Sequence, residues 1–571
     1  MEQGAPLMGA GERVVIVAPA AAGKILIRED TIMNNLQGCA GCGRAQFTCA
    51  GVRRQWSGLC WGQTLTKRYY CFVVALSAVF SVSLIAAVFL LFTNSFNDAI
   101  LSSMALRNNS LAYSMWRRPT VTPTMRVHLF NYTNWEAVRD GREDKLRVQE
   151  VGPYAYSQHV ERVNTKFDGE QLTYQESNRF RFLPHKSAGS PFDHVNVPNL
   201  PLLVSLQSTI QVALTLHIAE AAVSRAVHFP LLMQMGLASS LNLVNHKEAF
   251  LQLPVERFLW GYEDSIYDTA KTFLSINGQL KYKNFGLLVA KNGTSSDVFT
   301  INTGAADNDK MNILERFNGI SSLDMWGTAE CNSIYSTDGS IFPPSMLDRN
   351  QSLYVFYANL CRRFPFHYTE DVEIADGIKL LRYSLPDNVF DDKEHNPANQ
   401  CYCELDSGAC PPRGVINVTA CTQGFPAFAS FPHFHLGDPA LRSQLSGLRP
   451  DARPNYLDVH PTLGIALRGK SSLQLNVQVK KSAVFSVLRY LPQDIILPVA
   501  WIEMSVEDLP ESLRSLVYHG TYSTAAARLG LSVFAVLALV LSAACLVLLV
   551  AGRRRKPCAV VKVPVDTKPE S

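Results

Sequence analysis

Residues 69–92 read YYCFVVALSAVFSVSLIAAVFLLF, twenty-four positions without a charged side chain. Coiled as a helix at about 1.5 Å per residue, they cover a hydrocarbon core of about 30 Å with some tilt. A second run of the same length, LGLSVFAVLALVLSAACLVLLVAG, occupies 529–552. No water inside a bilayer can satisfy backbone N–H and C=O groups, so both runs are expected to be helical spans. A core helix of a soluble domain rarely stays uncharged over this length. A cleaved signal peptide does not fit either, because Val14–Val17 is too short to be its apolar region.

Charge sets the orientation. Arg53, Arg54, Lys67 and Arg68 precede the first run, and Arg553, Arg554, Arg555 and Lys556 follow the second, whereas Thr93–Asn97 on the inner side is uncharged. Basic outer flanks place residues 1–68 and 553–571 in the cytosol and 93–528 outside it, with the first span acting as an uncleaved signal-anchor. The formal net charge of +4 divides the same way. Residues 1–68 carry eight Lys and Arg against four Asp and Glu, and 552–571 six against two, while 69–551 hold 39 against 43. The positive excess sits in the tails, which argues against a general nucleic-acid-binding surface, and no nucleic acid is expected as a partner.

Six of the thirteen cysteines, at 331, 361, 401, 403, 410 and 421, fall in one region of the outer segment, opening with CNSIYSTDGSIFPP at 331–344. Outside the cytosol cysteines oxidise, so this set favours structural disulfides over zinc thiolates; six cysteines allow fifteen pairings. The N-tail holds Cys39, Cys42, Cys49 and Cys60, a CxxC without the second close pair of a zinc site. Reduced thiols or S-acylation near the membrane fit it better, and Cys71, Cys545 and Cys558 are weak acylation candidates.

Within the outer segment, residues 93–115 read as a helix leaving the membrane, with Phe96, Ile100, Met104 and Leu111 at helical spacing. MRVHLFNYTN at 125–134 has strand character. Glycosylation sequons occur at Asn108, Asn131, Asn292, Asn350 and Asn417, all in the segment assigned outside. Leu473, Leu475, Val477 and Val479 alternate with Gln474, Asn476, Gln478 and Lys480, which puts aliphatics on one face of a half-buried strand. Many such runs, punctuated by Gly, Pro, Asn and Asp, predict an antiparallel sheet or barrel. Residues 198–260 differ. Leu202, Leu206, Ile210, Ala213 and Leu214, then Leu231, Met235, Ala238 and Leu241 after Pro230, form stripes at helical spacing, which ordinary burial explains as packing. The expected fold is therefore α+β, a large antiparallel barrel-like ectodomain with a helical region at 198–260 and a cysteine-rich region at 331–421, anchored by two transmembrane helices.

The outer segment carries no GxSxG, HExxH, P-loop or Rossmann glycine pattern. His433 and His435 would share one strand face, without a third metal ligand in view. No enzyme activity, cofactor or metal is expected.

The block QEVGPYAYSQHVERVN at 149–164, with YQESNRFRFLPHKSAGSPFDHVNVPNLPLL after it, resembles the class B scavenger receptor family. Further likeness lies in Leu259-Trp260-Gly261-Tyr262, INTGAADN at 301–308, Cys331-Asn332, TDGSIFPP at 337–344, CYC at 401–403, FPHF at 431–434, YLDVHPTLGIALRGKSSLQLNV at 456–477 and PVAWIE at 498–503. These cover nearly all of 93–551 in order, although the 68-residue N-tail is much longer than is usual there. The resemblance implies disulfides Cys331–Cys401, Cys361–Cys421 and Cys403–Cys410, a membrane-distal helical apex where ligands dock, and an apolar tunnel within the barrel. In the family's fatty-acid translocase a lysine cluster at the apex receives anionic ligands. The corresponding turn here is Asn245-His246-Lys247, with Phe250 close by; Val244 and His246 stand where lysines would be expected, so only Lys247 is firmly cationic.

The leading expectation is a cell-surface receptor that binds lipids, fatty acids or lipoproteins and transfers lipid through the ectodomain to the membrane. A protein-binding receptor, for pathogen or apoptotic surfaces or for sorting a lysosomal enzyme, is the second reading, and a chemosensory accessory protein for lipid pheromones the third. Neither tail shows an acidic dileucine signal, so the plasma membrane is expected ahead of the lysosome.

Overall fold

The computed structural model describes residues 61–93, 95–206, 247–268, 282–403, 410–422, 425–481 and 486–554. They belong to two compact units, Met1–Ala78 with Ala543–Ser571, and Val79–Ser542. The first unit, in its described part, consists of the outer ends of two long helices, Trp61–Phe92 and Thr524–Arg554. Candidate membrane spans run over Lys67–Phe92 and Glu511–Gly552. Large apolar side chains on both, among them Ile85, Phe92, Phe534 and Leu541, are exposed over the helix surface, which suits a lipid surrounding.

Most of the second unit is β-sheet. In chain order the strands are β1 (Thr124–Tyr132), β2 (Leu146–Asp168), β3 (Gln171–Phe182), β4 (His194–Pro198), β5 (Phe250–Pro254), β6 (Gly293–Thr294), β7 (Phe299–Asn302), β8 (Leu314–Phe317) and β9 (Leu353–Tyr357). They continue as β10 (Arg362–Ile374), β11 (Ile378–Ser384), β12 (Val415–Asn417), β13 (Ala427–Ser430), β14 (Leu445–Ser446), β15 (Tyr456–Val459), β16 (Ala466–Val479) and β17 (Ile495–Val506). The main path is β8-β7-β3-β2-β1-β17-β16-β15-β11-β10-β9, and all its pairs are antiparallel.

The expected barrel is not closed by strand pairing. Its two edge strands each bond to one extended segment instead of to each other: Leu314 N donates to Ser336 O (2.8 Å), while Phe356 N donates to Thr337 O (2.9 Å) and Thr337 N to Tyr354 O (3.3 Å). That segment cannot lengthen into a strand, because Thr337 Oγ1 accepts from Gly339 N and Gly339 takes φ +83° against the Val355 side chain.

The helix expected over 93–115 is two helices, Ser95–Met104 and Leu111–Arg117. Asn109 has φ +63°, and Ser110 caps the second helix by accepting from Tyr113 N, so the backbone turns and restarts there. Within 198–260, residues 200–206 and Val255–Trp260 are helical, but Phe250–Pro254 is strand β5, paired with β4; residues 207–246 lie outside the described part. The HFH stretch is not a strand. Pro432–Phe434 is a tight 3-10 turn with His433 and Phe434 at positive φ.

Three disulfides are formed, Cys331–Cys401, Cys361–Cys421 and Cys403–Cys410. The first two close loops of 70 and 60 residues and stabilise the fold by roughly 4 kcal/mol each in the chain-entropy view. Beneath them Cys331 and Cys361 join a core cluster with Trp326, Phe356 and Phe317, and Trp326 Nε1 donates to Cys361 O (2.7 Å).

Candidate functional site

Over residues 472–476 of β16 accessibility runs against hydropathy, whereas Val477 and Val479 beyond them are fully buried. Ser472, Gln474 and Asn476 are fully buried, while Leu473 and Leu475 are half-buried. Directly paired residues share a face, so the register extends the aliphatic side across the sheet. Leu473 pairs with Ile502, Ile502 with Val127, and Val127 with Tyr154. One step along, Ser471 pairs with Met504, Met504 with Met125, Met125 with Tyr156, and Tyr156 with Phe182. In the other direction Gly469 pairs with Leu457, Leu457 with Tyr383, and Tyr383 with Tyr368. The result is an apolar band over eight neighbouring strands, with Leu457, Leu473, Leu475, Ile502, Met504 and Phe182 all keeping accessible surface.

The opposite face is polar and sealed. Gln474 Nε2 donates to Asn476 Oδ1 (2.7 Å), and Asn476 Nδ2 donates to Ser430 Oγ (3.0 Å). Glu503 accepts from Arg126 (2.7 Å) and Lys470 (2.8 Å); burial pushes its carboxyl up, but the two cations outweigh that and leave its pKa lowered. The turn at 432–434 closes over this layer: His433 N donates to Gln474 Oε1 (2.6 Å), and Arg449 N donates to His433 Nδ1 (3.1 Å). Because Nδ1 accepts, Nε2 carries the proton, and it donates to Glu150 Oε2 (2.6 Å). The other Glu150 oxygen lies 2.6 Å from Nδ1 of His128, whose ring stacks on Trp501 at 3.7 Å. Burial raises the Glu150 carboxyl, and the two imidazoles more than reverse that, so it is held well below the usual carboxylate range.

Nothing in the sequence announces this His128–Glu150–His433 cluster, since its members are 22 and 283 residues apart. Among the described residues no group of three His, Cys, Asp or Glu side chains is arranged to hold a metal, and His433 is committed to Glu150 rather than paired with His435.

Of the three apex residues named from the sequence, His246 lies outside the described residues. Lys247 is half-buried, with Nζ 4.0 Å from Asp264 Oδ2. Phe250 is 1% exposed and packs against Tyr132 (ring centroids 4.7 Å) and Trp135 (5.9 Å). Its reading as a ligand contact is corrected: position in β5 turns the ring into the core, and no side-chain surface is left for a ligand. Asn108, Asn292 and Asn350 are exposed, whereas Asn131 and Asn417 are half-buried and their Oδ1 atoms accept from Asn196 N and Thr419 N. Cys71 and Cys545 are free and exposed on the long helices.

The sequence is similar to several known proteins. Scavenger receptor class B member 1 of Rattus norvegicus is 31% identical over 410 residues, covering 71% of this chain and 75% of the relative. The Mus musculus protein of the same name is 30% identical over 409 residues, with the same coverage. Lysosome membrane protein 2 of Homo sapiens is 28% identical over 460 residues, 78% of this chain and 89% of the relative. The profile of the CD36 family matches residues 74–550, which takes in most of both apolar runs. On that match, which takes in most of the sequence, the chain belongs to the CD36 family.

Proposed function

We propose that the chain is a two-pass membrane receptor that binds lipids, fatty acids or lipoproteins and passes lipid along the apolar band of its ectodomain toward the bilayer. The observation that carries this reading is the inverted accessibility of residues 472–476 of β16, where Leu473 and Leu475 keep accessible surface while Ser472, Gln474 and Asn476 are sealed. An apolar ligand laid along Leu473, Leu475, Ile502 and Met504 leaves water at about 25 cal/mol per Å² buried, and the transfer needs no chemical step. Similarity to scavenger receptors of class B supports the receptor role. Docking at the apex falls to Lys247 and its surroundings, with His246 beside it in sequence.

Cells displaying the chain at their surface take up labelled lipid under this reading; absence of uptake despite correct display overturns it. Mass spectrometry of lipids co-purifying with the full chain identifies the ligand class.

A second reading, a receptor for a protein partner in the lysosomal membrane, is favoured by the similarity to Lysosome membrane protein 2, which extends over 89% of that relative. Without an acidic dileucine signal in either tail the plasma membrane is the assigned location, and a tagged chain confined to lysosomes would reverse that assignment.

A further inference from the structure

Strands β2 and β3 carry a charged row on the face opposite Tyr156 and Phe182. Ser157, His159 and Glu161 alternate along β2 and pair with Arg181, Arg179 and Ser177 of β3, so all six side chains share that face. His159, Arg179 and Arg181 are exposed. At the far end Glu161 holds two more guanidiniums: Arg118 Nη2 lies 2.7 Å from Glu161 Oε1, and Arg117 Nη2 lies 3.9 Å from it. Among the described residues, Arg179 and Arg181 form no ion pair.

Four arginines thus stand against the single carboxylate of Glu161. Further across this face Ala155 pairs with Arg126 and Arg126 with Glu503, but the acids there are already taken: Glu503 by Arg126 (2.7 Å) and Lys470 (2.8 Å), Glu507 by Arg126 (3.7 Å). Successive side chains on one face of a strand stand about 7 Å apart, so positions 181 to 177 span about 14 Å and neighbouring charges lie within a Debye length of about 8 Å. Their fields add and draw a polyanion. None of the exposed large apolar side chains belongs to β2 or β3. Membrane surfaces and protein interfaces are gripped in part by apolar or aromatic anchors, which this face does not offer. What fits is an extended, hydrated chain of oxyanions, the groups that guanidinium forks bind best.

We propose that this face of β2 and β3 binds a linear sulfated polysaccharide, whose sulfate oxygens accept from Arg179 and Arg181 while Arg117 and Arg118 continue the row. The apolar band takes the other face of the same strands. A glycan chain therefore holds the receptor without occupying the lipid path, a reading that rests on residues 93–528 facing outward.

The test uses cells that display the full chain and make no sulfated glycans of their own. Their basic tails stay inside, so fluorescent heparin added outside reports the ectodomain. The chain carries Asn292→Gln, because Thr294 of that sequon shares the face, its hydroxyl donating to Ser177 Oγ (3.3 Å), and a glycan there would crowd it. Saturable binding is expected, weakening as salt rises and absent with desulfated heparin. At equal display, Arg179→Gln with Arg181→Gln is expected to lower affinity about tenfold. Lys379→Gln with Lys393→Gln, which removes two exposed cations elsewhere, leaves it unchanged. Where the arginine double variant does not reach the surface, the single variants decide, each expected to lose about threefold. Binding that survives loss of the arginines, or falls equally in both double variants, overturns the proposal. So does a face that takes phosphatidylserine vesicles or polyglutamate through Arg179 and Arg181 and leaves heparin unbound.

Discussion

Glu150 Oε2 lies 2.6 Å from His433 Nε2, a contact that ties the second strand of the sheet to a turn 283 residues further along the chain. Leucine at 150 would leave two imidazole edges facing an apolar side chain. With Glu150 only partly shielded, Glu150→Leu is expected to cost about 2–3 kcal/mol, read as a lower urea midpoint of the purified chain.

The same contact sets a pH dependence. The folded Glu150 carboxyl titrates below its ordinary value of 4.5, so in acid the unfolded chain binds the proton first. Its contribution is therefore complete above about pH 5 and is lost as pH falls through the folded pKa. Between about pH 5 and pH 3 the wild-type midpoint is expected to fall more steeply than that of Glu150→Leu. Parallel curves would show that Glu150 is not held ionised by its histidines.

Asn476 and Leu475 are neighbours in β16 with opposite demands. Asn476 is 0% exposed and bonds Gln474 and Ser430, while Leu475 retains accessible surface. Asn476→Leu strands the Gln474 amide and is expected to destabilise the chain by about 1–3 kcal/mol. Leu475→Asn places a polar group where it can be hydrated and is expected to cost less. Chemical unfolding of the two variants side by side checks the order.

That pair also marks how far the sequence could be read. The period of two in 473–480 is legible because pleating alone sets it, and the length of the two apolar runs is legible because bilayer thickness sets it. Which face of β16 is sealed depends on the turn at 432–434, distant in sequence, and His433 reaches its place only through a positive φ that no local pattern announces. Phe250 looked like an apex residue because it follows the Asn245–Lys247 turn; its pairing within β5 turns it inward. The break after Met104 had a local signal in Asn109-Ser110, a left-handed residue type followed by a helix cap, which the longer apolar spacing of 96–111 obscured. The open sheet edge was not legible, since Ser336 and Thr337 take the place of a strand only in three dimensions.

Glycan attachment is expected to follow side-chain access. Asn108, Asn292 and Asn350 are exposed, whereas Asn131 lies within β1 with its amide oxygen held by Asn196 N. Substituting Gln at 108, 292 or 350 is expected to remove one glycan each, seen as faster gel migration that matches glycosidase-treated protein. Asn131→Gln is expected to leave migration unchanged. A mobility shift in that variant would mean that the site is modified before β1 docks against β4.

Leu473 and Ile502 face each other across β16 and β17 at the centre of the accessible apolar band. Tryptophan at 473 adds an indole to that side, where half-burial leaves room for it without the overpacking expected of a sealed core. If lipid travels along the band, Leu473→Trp narrows its path while the docking surface is unchanged. Uptake of labelled lipid is then expected to fall severalfold at equal surface display, with capture of lipoprotein particles retained. Leu473→Met, close to volume-conserving, is expected to leave both intact. Equal loss of capture and uptake in Leu473→Trp would instead point to a folding defect, and unchanged uptake would remove the Leu473–Ile502 band from the route.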